Sequence, residues 1–95
     1  MLSGKQKRFL RAMAVNEKAI FQIGKDEPTE NTYRSISEAL QARELVKISV
    51  LKTCEVQLNE LVIDLCANTH SDLVQVIGKT IILYRPSKEH KIQLP

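Results

Sequence analysis

Hydrophobic positions recur with a helical period at the start of the chain. Advancing about 100° per residue from Lys5 places Phe9, Met13, Leu10 and Ala14 on an arc from about 40° to 180°. Lys7, Arg11, Arg8 and Lys5 fill the opposite arc. The spacing predicts an amphipathic helix over 3–14, with Ser3 as N-cap and Gln6 in the capping-box position. Ala19-Ile20-Phe21-Gln22-Ile23 changes to a β-rich run that Gly24 ends, hence a strand and a turn. Thr29 suits an N-cap and Glu30 the positive end of a helix dipole. Tyr33, Ile36 and Leu40 then recur at helical spacing to about residue 43, supported by Glu30–Arg34 and Arg34–Glu38 four apart. From Leu45 to Leu51 the pattern alternates, with Val46, Ile48 and Val50 on one side and Lys47 and Ser49 on the other. Leu58, Leu61, Val62 and Leu65 mark a third helix over 55–68 with an acidic polar face. Leu73–Ile77 and Thr80–Arg85 read as strands joined through Gly78-Lys79 in a tight hairpin. Pro86–Pro95 is polar and basic and is expected to be mobile.

The order α-β-α-β-α-β-β defines an α/β fold with a four-stranded mixed sheet. Each β-α-β step needs a right-handed crossover, which puts both later helices on one face. The final hairpin makes the last strand antiparallel. A chain of 95 residues has room for one core, here assigned to 1–86, with 87–95 as the tail. A hydrophobic fraction of 43 % with 26 % charged residues excludes a disordered chain. No apolar run approaches the ~20 residues of a membrane span. The opening residues run straight into Lys5, Lys7, Arg8 and Arg11, so no secretory leader is expected. Cys54 and Cys66 are too few for a disulfide scaffold, and the expected location is the cytoplasm, with reduced thiols.

The net charge of +3 hides its distribution. Residues 1–25 carry six cations against Glu17, a net of +5; residues 26–78 carry −5; residues 79–95 carry +3. A basic end attracts polyanions, although solvated helix faces are the commoner use of charge.

Candidate chemistry is sparse. The Gly24-Lys25 turn lies between a strand and a helix, where backbone amides can receive a phosphate and Lys25 adds a point charge. Asp26, Glu27 and Glu30 stand against that reading unless they point away. Gly78-Lys79-Thr80 imitates the end of a nucleotide-binding loop, but position 73 is Leu and the tripeptide joins two strands, which excludes nucleotide hydrolysis. Cys66 and His70 are four apart, half of a metal site with no second half. Glu60 and Asp64 lack any nucleophilic or basic companion. No catalytic residues, metal or cofactor are therefore assigned, and a non-enzyme is expected. The strands carry no adjacent exposed aromatics for base stacking, so contact with nucleic acid should be with phosphates and shape, as on an A-form duplex or a folded RNA.

Several segments together resemble one family. Leu2-Ser3-Gly4-Lys5-Gln6-Lys7-Arg8-Phe9-Leu10-Arg11, Ile20-Phe21-Gln22-Ile23-Gly24-Lys25, Glu38-Ala39-Leu40 with Arg43-Glu44-Leu45-Val46-Lys47, and Leu73-Val74-Gln75-Val76-Ile77-Gly78 with Leu83-Tyr84-Arg85 are similar to the YhbY family of single CRM domains (chloroplast RNA splicing and ribosome maturation). The resemblance covers nearly the whole chain. It implies a fold like the C-terminal domain of translation initiation factor 3, RNA binding, and association with precursors of the large ribosomal subunit. The family's Gly-x-x-Gly turn begins at Gly24 and Lys25, but its closing Gly falls on Glu27. Glu27 takes positive φ less cheaply than Gly and brings negative charge to the turn. The resulting RNA-binding set is Lys5, Lys7, Arg8, Arg11, Gly24 and Lys25, with ribosomal RNA or a large-subunit precursor as partner and neither membrane nor small-molecule substrate. The rival reading is a protein-interaction module that docks through the acidic third helix or a sheet edge, its cations serving solubility.

Overall fold

The structure, a computed structural model, describes residues 1–95. Its elements are α1 (Gly4–Ala14), β1 (Phe21–Ile23), α2 (Glu30–Arg43), β2 (Leu45–Val50), α3 (Leu58–Thr69), β3 (Asp72–Ile77) and β4 (Thr80–Tyr84). The sheet is mixed, in the order β1-β2-β4-β3. β1 pairs parallel with β2, while β4 runs antiparallel to both β2 and β3. The second crossover therefore skips one position, and the hairpin returns β4 into the gap. β1 is shorter than the sequence suggests. α3 begins three residues later than expected, at Leu58 behind Gln57, which provides no side-chain cap.

Strand alternation sorts the core into two layers. Val46, Ile48, Val50, Ile81 and Leu83 face α2 and α3, packing with Ile36, Leu40, Leu61 and Leu65. Leu45, Ile82, Tyr84 and Val74 face the other way and receive Leu10 and Ala14 of α1. Both later helices thus share one face, as the crossovers require, and α1 is the helix on the other. Lys47 points to the α1 side, where its Nζ donates to the carbonyls of Ala14 and Glu17 at 3.2 and 3.3 Å. A cation at the negative end of the helix dipole fixes that end of α1 to the sheet.

Residues 87–95, expected as a mobile tail, are instead held down. Glu44, fully buried just beyond α2, accepts hydrogen bonds from the Ser87 amide at 2.9 Å, the Lys91 amide at 3.0 Å and the Ile92 amide at 2.8 Å. The Ser87 hydroxyl donates to the same carboxylate. Ile92 and Leu94 pack on the α1-side core. The composition of this segment is polar, but its backbone donors find a buried anion, and two apolar side chains find the core.

Candidate nucleic-acid interface

The orientation of α1 decides which of its cations face outward. Its first turn is closed by the expected capping box: the Gln6 amide donates to Ser3 Oγ at 3.1 Å, and the Ser3 amide to Gln6 Oε1 at 3.0 Å. Burial of Leu10 and Ala14 then turns Lys5 and Arg8 to solvent, with Lys7 and Arg11 half-buried at the margin. Phe9 and Met13, expected on the apolar face, remain 39 % and 36 % exposed. The helix meets the sheet near 140–180° on its wheel, so residues near 40° and 80° fall outside that seam. An aromatic ring and a thioether therefore border the outward cations. None of these four cations has a carboxylate within 4.0 Å; the molecule's single ion pair joins Lys91 and Glu89 at 3.8 Å.

The Gly24-Lys25 turn differs from expectation. Gly24 is buried, and its amide donates to Glu27 Oε1 at 3.0 Å, while Thr32 Oγ1 donates to Glu27 Oε2 at 3.1 Å. The Glu27 amide donates back to the Gly24 carbonyl at 3.3 Å. Positive φ falls on Asp26, at 67°, rather than on Glu27. Glu27 thus closes the turn by folding its carboxylate inward onto a donor that a phosphate would otherwise use. Gly24 sits in a tight place: a Cβ there would lie 3.2 Å from Thr53 Oγ1, which would have to shift, and at an ordinary contact distance of 3.4 Å from Leu51 Cδ1. Lys25 remains exposed.

Strand register separates the turn from α1. The residues under α1 include Leu45 and Tyr84, at the first row of β2, whereas Gly24 leaves β1 beyond the last row, Ile23 against Val50. The sequence joined the helix cations and the turn in one RNA-binding set; the structure sets them at opposite ends of the strands. Two lysines that sequence reasoning left aside lie with Lys25 instead. Lys52 follows β2 at the same distance as Lys25 follows β1, and Lys79 precedes Thr80, whose partners are Ser49 and Ile77. The Val50 amide donates to the Lys79 carbonyl at 2.7 Å. The parallel β1–β2 pairing carried the signal, but counting charge by segment hid Lys52 inside an acidic block. Gln22, Ser49 and Thr80 form one row across the sheet on the face whose other half α1 covers. All three lysines are exposed, and none is paired.

The family described as the CRS1/YhbY (CRM) domain matches residues 2–85. The chain is 52 % identical, over the full length of both proteins, to "Probable RNA-binding protein YqeI" of Bacillus subtilis. It is 38 % identical over 99 % of its length to a protein named "RNA-binding protein" of Haemophilus influenzae, 95 % of which is covered. Among solved structures, it superposes on the solution structure of the hypothetical protein SAV1595 from Staphylococcus aureus with a TM-score of 0.83 and 50 % identity over the whole of both chains.

Proposed function

The chain belongs to the CRS1/YhbY (CRM) domain family, and from that membership we propose that it binds RNA without performing covalent chemistry. The finer reading is that it docks on structured ribosomal RNA in cytoplasmic precursors of the large ribosomal subunit and holds an RNA conformation during assembly. The names of its relatives support RNA as the partner class. The observation that carries the reading is the outward face of α1, where Lys5 and Arg8 are exposed, Lys7 and Arg11 flank them, and no carboxylate lies within 4.0 Å of any of the four.

Such a face acts by displacing counterions from a sugar-phosphate backbone. If four phosphates are engaged, log K falls against log[salt] with a slope of about −3 to −4, at ~0.7–0.9 per contact. The test is a salt titration of binding to an RNA hairpin with a duplex stem, comparing the native chain with K5E/R8E. The expected result is a slope flattened by at least the two lost contacts. An unchanged slope, or capture of a protein partner that survives ribonuclease digestion while RNA does not bind, would overturn the proposal. Co-migration with large-subunit precursors on a sucrose gradient at low salt, lost at high salt, is the expected result for the ribosomal reading.

A further inference from the structure

The end of the sheet opposite α1 gathers charge from three separate connections. Lys25 leaves β1, Lys52 leaves β2, and Lys79 occupies the β3–β4 hairpin. With strands ~4.8 Å apart, three strand ends in the order β1-β2-β4 spread these lysines over roughly 10 Å. The local packing fixes the backbone beneath them. Where the β1–α2 turn begins, the Ile23 carbonyl accepts from the Leu51 amide at 2.9 Å, and the Lys79 carbonyl accepts from the Val50 amide. Among the carboxylates of the same connections, Glu27 is turned inward onto Gly24 and Thr32, and neither Asp26 nor Glu55 comes within 4.0 Å of a lysine. Below this rim, Gln22, Ser49 and Thr80 present uncharged hydrogen-bonding groups in one row on the open half of the α1-side face.

We propose that Lys25, Lys52 and Lys79, with the row Gln22, Ser49 and Thr80 beneath them, form a second phosphate-binding surface that engages an RNA strand separately from the one held by α1. The inference rests on the RNA-binding reading and extends it: the partner presents backbone to both ends of the sheet, as a folded RNA does. Lysines supply the point charges, while the short side chains of Ser49 and Thr80 let a ribose-phosphate chain approach the sheet and Gln22 adds an amide at its edge. The rim avoids the Gly24 amide, which Glu27 already occupies.

The experiment is the same salt titration on the RNA hairpin, applied to K52Q/K79Q, to K5E/R8E and to K18Q, whose lysine lies before β1 at the other end of the strands. Both substituted rim side chains are solvent-exposed, and the hydrogen bond at position 79 uses the backbone, so the thermal midpoint should be unchanged. The expected result is a slope flattened by about 1.4–1.8 in K52Q/K79Q, two contacts at ~0.7–0.9 each, and no change in K18Q. An unchanged slope in K52Q/K79Q alongside a flattened one in K5E/R8E overturns the rim and leaves the α1 reading standing. Equal flattening per lysine in K18Q also overturns the rim, since it would report general charge alone. Native behaviour in all three variants overturns RNA binding through these surfaces altogether.

Discussion

Glu44 and Ser87 are joined twice, through the amide and the hydroxyl of the serine, and this contact ties the end of α2 to the last ten residues of the chain. The Arg85 amide adds a bond to the Glu44 carbonyl at 2.9 Å, so backbone and side chain of one residue organise the return of the chain after β4. Burial alone would raise the Glu44 carboxyl, but the donors from Ser87, Ile92 and Lys91 outweigh it and hold it at about 2, below its ordinary value of 4.5. A group depressed by folding stabilises the native state above its unfolded value and loses that contribution as pH falls through its folded value. The displacement corresponds to roughly 3 kcal/mol at neutral pH. Glu44→Gln offers one oxygen where two served and turns an NH2 toward backbone donors. It is expected to destabilise by about 2–4 kcal/mol. In chemical denaturation from neutral pH to about pH 2, the native protein should lose stability that the variant has already lost. Parallel pH profiles would disprove the clasp.

Two neighbours on α1 separate what periodicity reveals from what it leaves open. Leu10 and Phe9 both lie on the apolar arc, yet Leu10 is completely buried and Phe9 is 39 % exposed. Leu10→Ala should cost about 2–5 kcal/mol as a cavity in the α1-side core, whereas Phe9→Ala should cost about 1 kcal/mol. Comparable losses for the two would mean that the seam of α1 is centred elsewhere.

The same contrast explains how far the sequence could be read. Ser3 with Gln6, Thr29 before α2, and the alternation of Val46, Ile48 and Val50 are local signals, and each element they announce is present. The strand order and the separation of α1 from the Gly24 turn depend on β4 returning between β2 and β3, a long-range pairing that no local pattern encodes. Glu44 was legible as one acid among eleven and as part of a family-like segment, but not as a buried anion. Its partners lie more than forty residues away, and its φ of 68° is a backbone state that the residue type does not advertise. Lys52 and Lys79 were likewise visible as charges, but only the register made them neighbours of Lys25.

Glu27 makes the β1–α2 turn a test of competing anions. Its carboxylate holds the Gly24 amide and the Thr32 hydroxyl, so Glu27→Gly frees both donors and removes one negative charge beside Lys25. Binding to the RNA hairpin is expected to tighten by about 1 kcal/mol, or roughly fivefold at low salt, from the lost repulsion. Folding stability should fall by about 1 kcal/mol as the bridging hydrogen bonds disappear. A variant that binds more weakly than the native chain would show that Glu27 shapes the turn for RNA rather than opposing it.

Arg85 looks from its charge like part of the basic C-terminal segment, but the structure gives it a different task. Its guanidinium donates to the Ser37 hydroxyl at 3.0 Å and the Ser37 carbonyl at 2.7 Å on α2, and to the Thr69 carbonyl at 2.7 Å at the end of α3. The planar fork reaches both helices at once, which a lysine ammonium cannot reproduce from the same position. Arg85→Lys is therefore expected to destabilise by about 1–3 kcal/mol despite conserving charge, with Arg85→Ala at least as damaging. Because its donors are committed to α2 and α3, neither change should alter the salt slope of RNA binding. A thermal-melt series with the titration repeated on each variant separates the two roles. A flattened slope with native stability would move Arg85 from the scaffold to the interface.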